Sequence, residues 1–264
     1  MWGIACTVFD PVAAEEEITR LVTEDTDRYA TEEISIDLTI QDSVAIDSAW
    51  VVTRIVLNTA FASDSLGIEF NKELHKDTIR TVGDTATVLL STRYTGSIIS
   101  TIEASEGGSS KDVTRDFGTE RVQRARYADE NGWYIAGYSF AEERSDTNIY
   151  RIYNLVVQDS DPDTILSSAE IADLDSFPVL TAGNTYSLLL RTTADTNDVV
   201  CFAKGADVVR FTPKVNIEED WTDRWEAEVT LGQDPLILGV INRTSLAEES
   251  YPADFDLWII PLTQ

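Results

Sequence analysis

The stretch from residue 120 to residue 140 constrains the fold most. It reads as two strands, 120–127 and 133–140, joined by Asp129-Glu130-Asn131-Gly132. Asn-Gly between alternating apolar runs is a strong hairpin signal, because both residues accept positive φ at little cost. Strand alternation puts Trp133 and Ile135 on one face of the second strand and Tyr134, Tyr138 and Phe140 on the other. The first strand carries Arg121, Arg124 and Arg126 in a chain that is otherwise acidic. The first half of the chain is expected to fold toward this hairpin, and the second half to begin just after it.

The segments upstream supply one helix and several strands. The spacing of Ile18, Leu21, Val22 and Tyr29 predicts a helix over 13–29, with Glu15, Glu16 and Glu17 at its positive N-terminal end. Ile34, Ile36, Leu38 and Ile40 alternate with polar residues and predict a half-buried strand. β-Branching tips 48–61 toward strand, 67–70 is a short extended piece, and 78–101 reads as a hairpin turning at Gly83-Asp84. Residues 103–111 read as a flexible loop. The polar segment 142–147 marks the expected boundary between a unit at 1–145 and a unit at 146–264. Beyond it, short strands recur at 149–158, 185–192, 199–203, 208–211, 225–231, 236–242 and 255–262, a number and spacing that suit an immunoglobulin-like sandwich.

The run Val82-Gly83-Asp84-Thr85-Ala86-Thr87-Val88, followed by Trp133-Tyr134-Ile135-Ala136-Gly137-Tyr138-Ser139 after a single N-terminal helix, resembles a nuclear-transport-factor-like α+β cone. That resemblance implies a helix packed against a curved sheet and a concavity near Trp133 and Tyr138, the two candidate ligand-binding residues. Leu180 to Leu188 resembles the start of a sandwich strand in bacterial immunoglobulin-like domains. The fold expected is therefore mostly β, a cone-like α+β domain followed by an immunoglobulin-like β-sandwich. Ile4-Ala5-Cys6 resembles the end of a bacterial lipoprotein signal, which implies lipid attachment at Cys6. The whole layout resembles uncharacterised envelope lipoproteins of environmental bacteria and implies an extracytoplasmic location.

Charge narrows the partners. The chain has 47 acidic and 20 basic residues, a formal net charge of −27. The excess is uniform, 27 acids against 13 bases up to Thr147 and 20 against 7 beyond it. Such a surface resembles that of proteins from salt-loving organisms, in which high ionic strength screens self-repulsion. An ordinary acidic extracytoplasmic protein is the alternative. Nucleic acid and anionic membrane faces need a basic footprint and are disfavoured as partners. No run of about 20 apolar residues predicts a membrane span. A protein partner, a cell-surface partner or self-association remains.

Catalytic patterns are poor. His75 is the only histidine, in a charged segment, and Cys6 and Cys201 are the only cysteines. A Ser-His-Asp or Cys-His arrangement or a zinc site would have to be built from these. Gly137-Tyr138-Ser139-Phe140-Ala141 lacks the last glycine of a nucleophile elbow. Trp221 and Trp225 among acids are the only hint of a sugar platform. Calcium is the one cofactor the sequence offers. Asp159, Asp161, Asp163 and Glu170 occupy positions 1, 3, 5 and 12 of an EF-hand-like loop, with Leu166 at position 8. Position 6 is Thr164 where the turn wants glycine, so a solvated acidic loop is the simpler reading. The expected function is a non-enzymatic envelope or extracellular binding or assembly protein. The alternatives are a structural subunit of a filament or virion, and a small-ligand carrier or enzyme built on the cone.

Overall fold

A computed structural model describes residues 10–24, 29–70, 85–129, 132–145, 147, 149–158, 164–167, 170–174, 180–193, 198–214 and 224–262, the side chains of 41–43 excepted. The first element among the described residues is helix α1 (Pro11–Glu24). Asp10 caps it, its carboxylate accepting from the Val12 and Ala13 amides, and Pro11 occupies the first helical position, where no amide is needed. A meander of four strands follows: β1 (Ser35–Ala45), β2 (Trp50–Phe70), β3 (Thr85–Ala104) and β4 (Ser110–Asp129). The last three are 20 or 21 residues long, roughly 65 Å each at the usual strand rise.

These four strands are one side of a barrel. Next come β5 (Trp133–Tyr138) and β6 (Ala141–Ser145), and the second half adds β11 (Val199–Lys204), β12 (Val208–Arg210), β15 (Leu236–Asn242), helix α2 (Arg243–Ala247) and β16 (Phe255–Ile260). The strand order is β1-β2-β3-β4-β6-β16-β15-β11-β12. The order nearly closes on itself, because β12 comes back against β1. Two cations clasp that seam: Lys204 Nζ donates to the Ser35 carbonyl at 3.1 Å and an Arg243 Nη1 donates to the Ala45 carbonyl at 2.9 Å. Inside lie Ile36, Leu38, Ile55, Leu57 and Ile98 from one side and Val200, Phe202, Ile241, Phe255 and Leu257 from the other. Two glycines make room for rings there. A Cβ on Gly239 would come within 2.1 Å of the Phe202 ring, and one on Gly96 within 2.6 Å of the Phe117 ring.

A second, smaller sheet of order β13-β14-β10-β7-β8 covers the outer face of β11, β15 and β16. Its strands are β7 (Ile152–Val157), β8 (Thr164–Leu166), β10 (Thr185–Thr192), β13 (Thr212–Pro213) and β14 (Arg224–Thr230). The shared wall explains why 199–203, 236–242 and 255–260 are nearly unbroken apolar runs: β15 and β16 are buried along their whole length, with one face to the barrel and one to the small sheet. The two-residue β9 (Ala172–Asp173) pairs with β5.

This arrangement corrects the expected cone followed by an immunoglobulin-like sandwich. The protein is mostly β, but one nearly closed barrel-like sheet draws strands from both halves, with a small five-stranded sheet on its wall. Residues 142–145, read as a polar linker, belong to a strand with β4 on one side and β16 on the other. They look unlike a core strand because the inward residue Glu143 is a carboxylate paired with an arginine. Helix α1 packs through Ala14, Ile18 and Val22 on the far ends of β3 and β4 and on β5, beyond the barrel.

Candidate functional site

The barrel core and the α1 core are separated by residues 29–34, which cross the inner face of β2, β3 and β4 like a strap. Backbone groups taken off the surface need partners, and alternate inward positions on the strands supply them. Ile34 donates its amide to Thr59 Oγ1 at 2.8 Å, and Thr59 returns its own amide to the Ile34 carbonyl at 2.9 Å. Tyr94 donates its hydroxyl to the Thr31 carbonyl at 2.7 Å, and the Ala30 amide donates to Gln123 Oε1 at 3.0 Å. Arg121 Nη1 donates to the carbonyls of Ala30 and Glu32 and to the Tyr94 hydroxyl. Its Nε and Nη2 donate to Glu143 Oε2 at 2.9 and 2.6 Å.

This polar belt is buried, with Arg121 3% exposed and Glu143 fully enclosed. Burial pushes the Glu143 carboxyl up and the guanidinium opposes that shift. Burial likewise lifts the Tyr94 phenol to about 12. An ion pair in this setting sets geometry more than it adds stability, since desolvation offsets the attraction.

Beside the strap, at the end of the barrel away from α2, lies a cavity of about 490 Å³. Its apolar walls are Ile34, Ile237, Ile259 and Leu262, and its rim carries Glu32, Glu33, Asp234 and Lys204. Arg121 and Gln123 reach it from the belt. The opposite end is closed: Leu246 of α2 enters the core, Ser100 donates to the Leu246 carbonyl at 2.5 Å, and Arg115 Nε donates to the Tyr251 carbonyl at 3.1 Å.

A second buried polar group joins the small sheet to the barrel wall. Asp254 and Asp256 accept from the amides of Ile149 and Ile152, which lead into β7. Asp256 is fully buried, 3.8 Å from the Arg144 guanidinium, and its carboxyl is pushed up to about 8, first by burial and then by Glu142. Asn242, the asparagine of a glycosylation sequon, is buried and donates its Nδ2 to Asp254 and to the Tyr251 hydroxyl.

The residues singled out from sequence fall in several places. Trp133 is buried beneath α1 and stacks at a tilt on Phe70, 6.0 Å between centroids. Tyr138 is half-buried between the α1 core and the inter-sheet core. Neither lines the barrel-mouth cavity. Glu170 is exposed. Asp159, Asp161 and Asp163 lie outside the described residues, as do Cys6, His75 and Trp221. The strands around the aspartates pair Val157 with Thr164, so the loop joins a hairpin and not the two helices of an EF-hand. No group of three potential metal-ligating side chains is found among the described residues. Trp225 is a core residue whose indole donates to Thr192. Cys201 is fully buried, which raises its thiol pKa well above the ordinary value. No helix among the described residues is long and apolar enough to cross a membrane.

Sequence reasoning missed the belt and the mouth. One signal was available: Thr119, Arg121 and Gln123 share a strand face with Val113, Phe117, Ala125 and Tyr127, so polar residues sit on the face that alternation assigns to the core. No protein-family model, no curated protein and no solved structure matches this chain.

Proposed function

We propose that this chain is a non-enzymatic binding protein of the cell envelope or extracellular space, and that it holds a small ligand at the mouth of its barrel. The cavity carries the reading. At about 490 Å³ it falls within the range of roughly 300–1,000 Å³ that small-molecule sites occupy. Ile237 and Ile259 in its wall are paired across neighbouring strands, so that side is preformed on rigid elements. Leu262 is half-buried at its edge, where it also packs against the inter-sheet core, and Leu262→Trp would place a large ring in the mouth. The test is a thermal-shift screen of small amphipathic molecules on both proteins. Hits that raise the melting temperature of the parent and not of the variant support the reading. An empty screen, or hits equal on both, overturns it.

One observation favours assembly as a second reading. Beyond Phe61, whose amide is taken by Glu33, β2 is paired along one edge only among the described residues, and Phe61 itself is 52% exposed. An open strand edge is a template for another chain. Light scattering that finds regular high-mass particles would favour a structural subunit, and a monodisperse monomer would remove that reading.

A further inference from the structure

Resting on the mouth cavity as a binding site, we infer that its ligand is an organic cation: a compact apolar body carrying an ammonium group. Ile34, Ile237, Ile259 and Leu262 make one part of the lining apolar, which suits a compact apolar body, while Glu32, Glu33, Gln233 and Asp234 make the rest polar. The charged groups around them decide the sign. Of the two basic residues at the cavity, Arg121 is fully committed, and Lys204 has one of its three N–H donors engaged. Every guanidinium nitrogen of Arg121 already donates, and its charge is matched by Glu143 at 2.6 Å. Lys204 is tethered across the barrel seam to the Ser35 carbonyl. Gln123 is occupied at both ends, accepting from the Ala30 amide and donating to the Ser139 carbonyl. An anionic headgroup would therefore find its side-chain donor in Lys204 alone, against three carboxylates on the rim.

A cation finds acceptors in place. Glu32, Glu33 and Asp234 stand on the rim, and Glu33 has only one oxygen engaged, by the Phe61 amide. With Arg121 and Glu143 cancelling, three acids face one base, a local excess of two negative charges. Against exposed carboxylates a few ångströms away, that excess favours an ammonium over a neutral headgroup by about tenfold at low salt. Screening erodes most of that factor toward 1 M salt, where the Debye length is about 3 Å.

The experiment is calorimetric titration of the full chain with three probes of one shape: phenethylammonium, phenethyl alcohol and phenylacetate. The expected order is ammonium first by about tenfold over the alcohol at low salt, with phenylacetate last. In the double variant Glu32→Gln, Asp234→Asn the ammonium should fall to the level of the alcohol, whose own affinity stays put. Leu262→Trp should weaken ammonium and alcohol together. Tightest binding by phenylacetate, or equal binding of ammonium and alcohol at low salt, overturns the ligand class and leaves the cavity reading standing. No binding of any probe at millimolar concentration, with circular dichroism still showing the folded protein, overturns both.

Discussion

At the scale of single residues, burial raises both enclosed carboxyls, and their partners differ. Glu143 has the Arg121 guanidinium against it, with Nε and Nη2 both donating to Oε2. Asp256 has one backbone amide and an arginine 3.8 Å away, and Glu142 nearby opposes ionisation. Its carboxyl accordingly moves from an ordinary 3.8 to about 8. The folded protein thus keeps a proton that the unfolded chain gives up. The associated stability is complete below about pH 4 and drains away as the pH climbs to about 8, at up to about 1.4 kcal/mol per pH unit. Asp256→Asn retains an acceptor for the Ile152 amide and cannot ionise. Thermal melts should find the variant more stable than the parent by about 2 kcal/mol or more near pH 8, with the difference closing toward pH 4. A variant that is equally or less stable near pH 8 would mean that the carboxylate is tolerated where it lies.

At the scale of elements, the strap is held by side chains and not by a sheet ladder. Removing Glu143 leaves the Arg121 charge buried without its counter-charge, which typically costs about 3–5 kcal/mol. Arg121 also holds the carbonyls of Ala30 and Glu32, so its loss should be felt first at 29–34. The double variant Arg121→Met, Glu143→Leu separates the two effects. It should recover much of the global stability lost in Glu143→Leu alone. In hydrogen exchange, however, residues 29–34 should open faster than in the parent while β15 and β16 stay protected. Unchanged protection across 29–34 would mean that the strap is held by something other than the belt.

The elements also differ in how much of them the sequence discloses. The 120–140 hairpin was legible because its information is local: Gly132 takes φ 131°, and Trp133 and Ile135 are buried as alternation requires. The strand character of 48–61 was legible from β-branching and 67–70 read as extended, but their continuity was not, since Ala62, Ser63, Asp64 and Ser65 carry no core signal and form strand through pairing with β3. The belt was illegible for a related reason. Arg121, Gln123 and Glu143 are inward because a distant segment brings them backbone groups to satisfy, and no window of sequence around them contains 29–34. The mouth depends on residues from the strap, β15 and the end of β16, so it exists only once the barrel closes. The apolar runs at 199–203, 236–242 and 255–260 announced burial on both faces without saying what lay on the second one.

At the scale of the whole molecule, charge is the dominant unbalanced quantity. With 47 acids and 20 bases, at least 27 carboxylates have no basic side chain to themselves. The exposed pairs, such as Arg54 with Asp37 and Lys214 with Glu226, are surface contacts of the kind worth little individually. The remaining acids repel one another more in the compact state than in the unfolded chain. Salt should therefore stabilise this protein, and the shape of the response carries the mechanism. The Debye length drops from about 30 Å at 0.01 M to about 10 Å at 0.1 M and about 3 Å at 1 M, so relief of repulsion is nearly complete by molar salt. If screening acts alone, the melting temperature should climb by about 10 °C, a few kcal/mol at this chain length, and then level off near 1 M NaCl. A continued rise beyond that point would add salt exclusion from the surface to the account, as in a protein adapted to brine. A melting temperature indifferent to NaCl would show that the carboxylates are already accommodated, and the salt-adapted reading of this surface would fall.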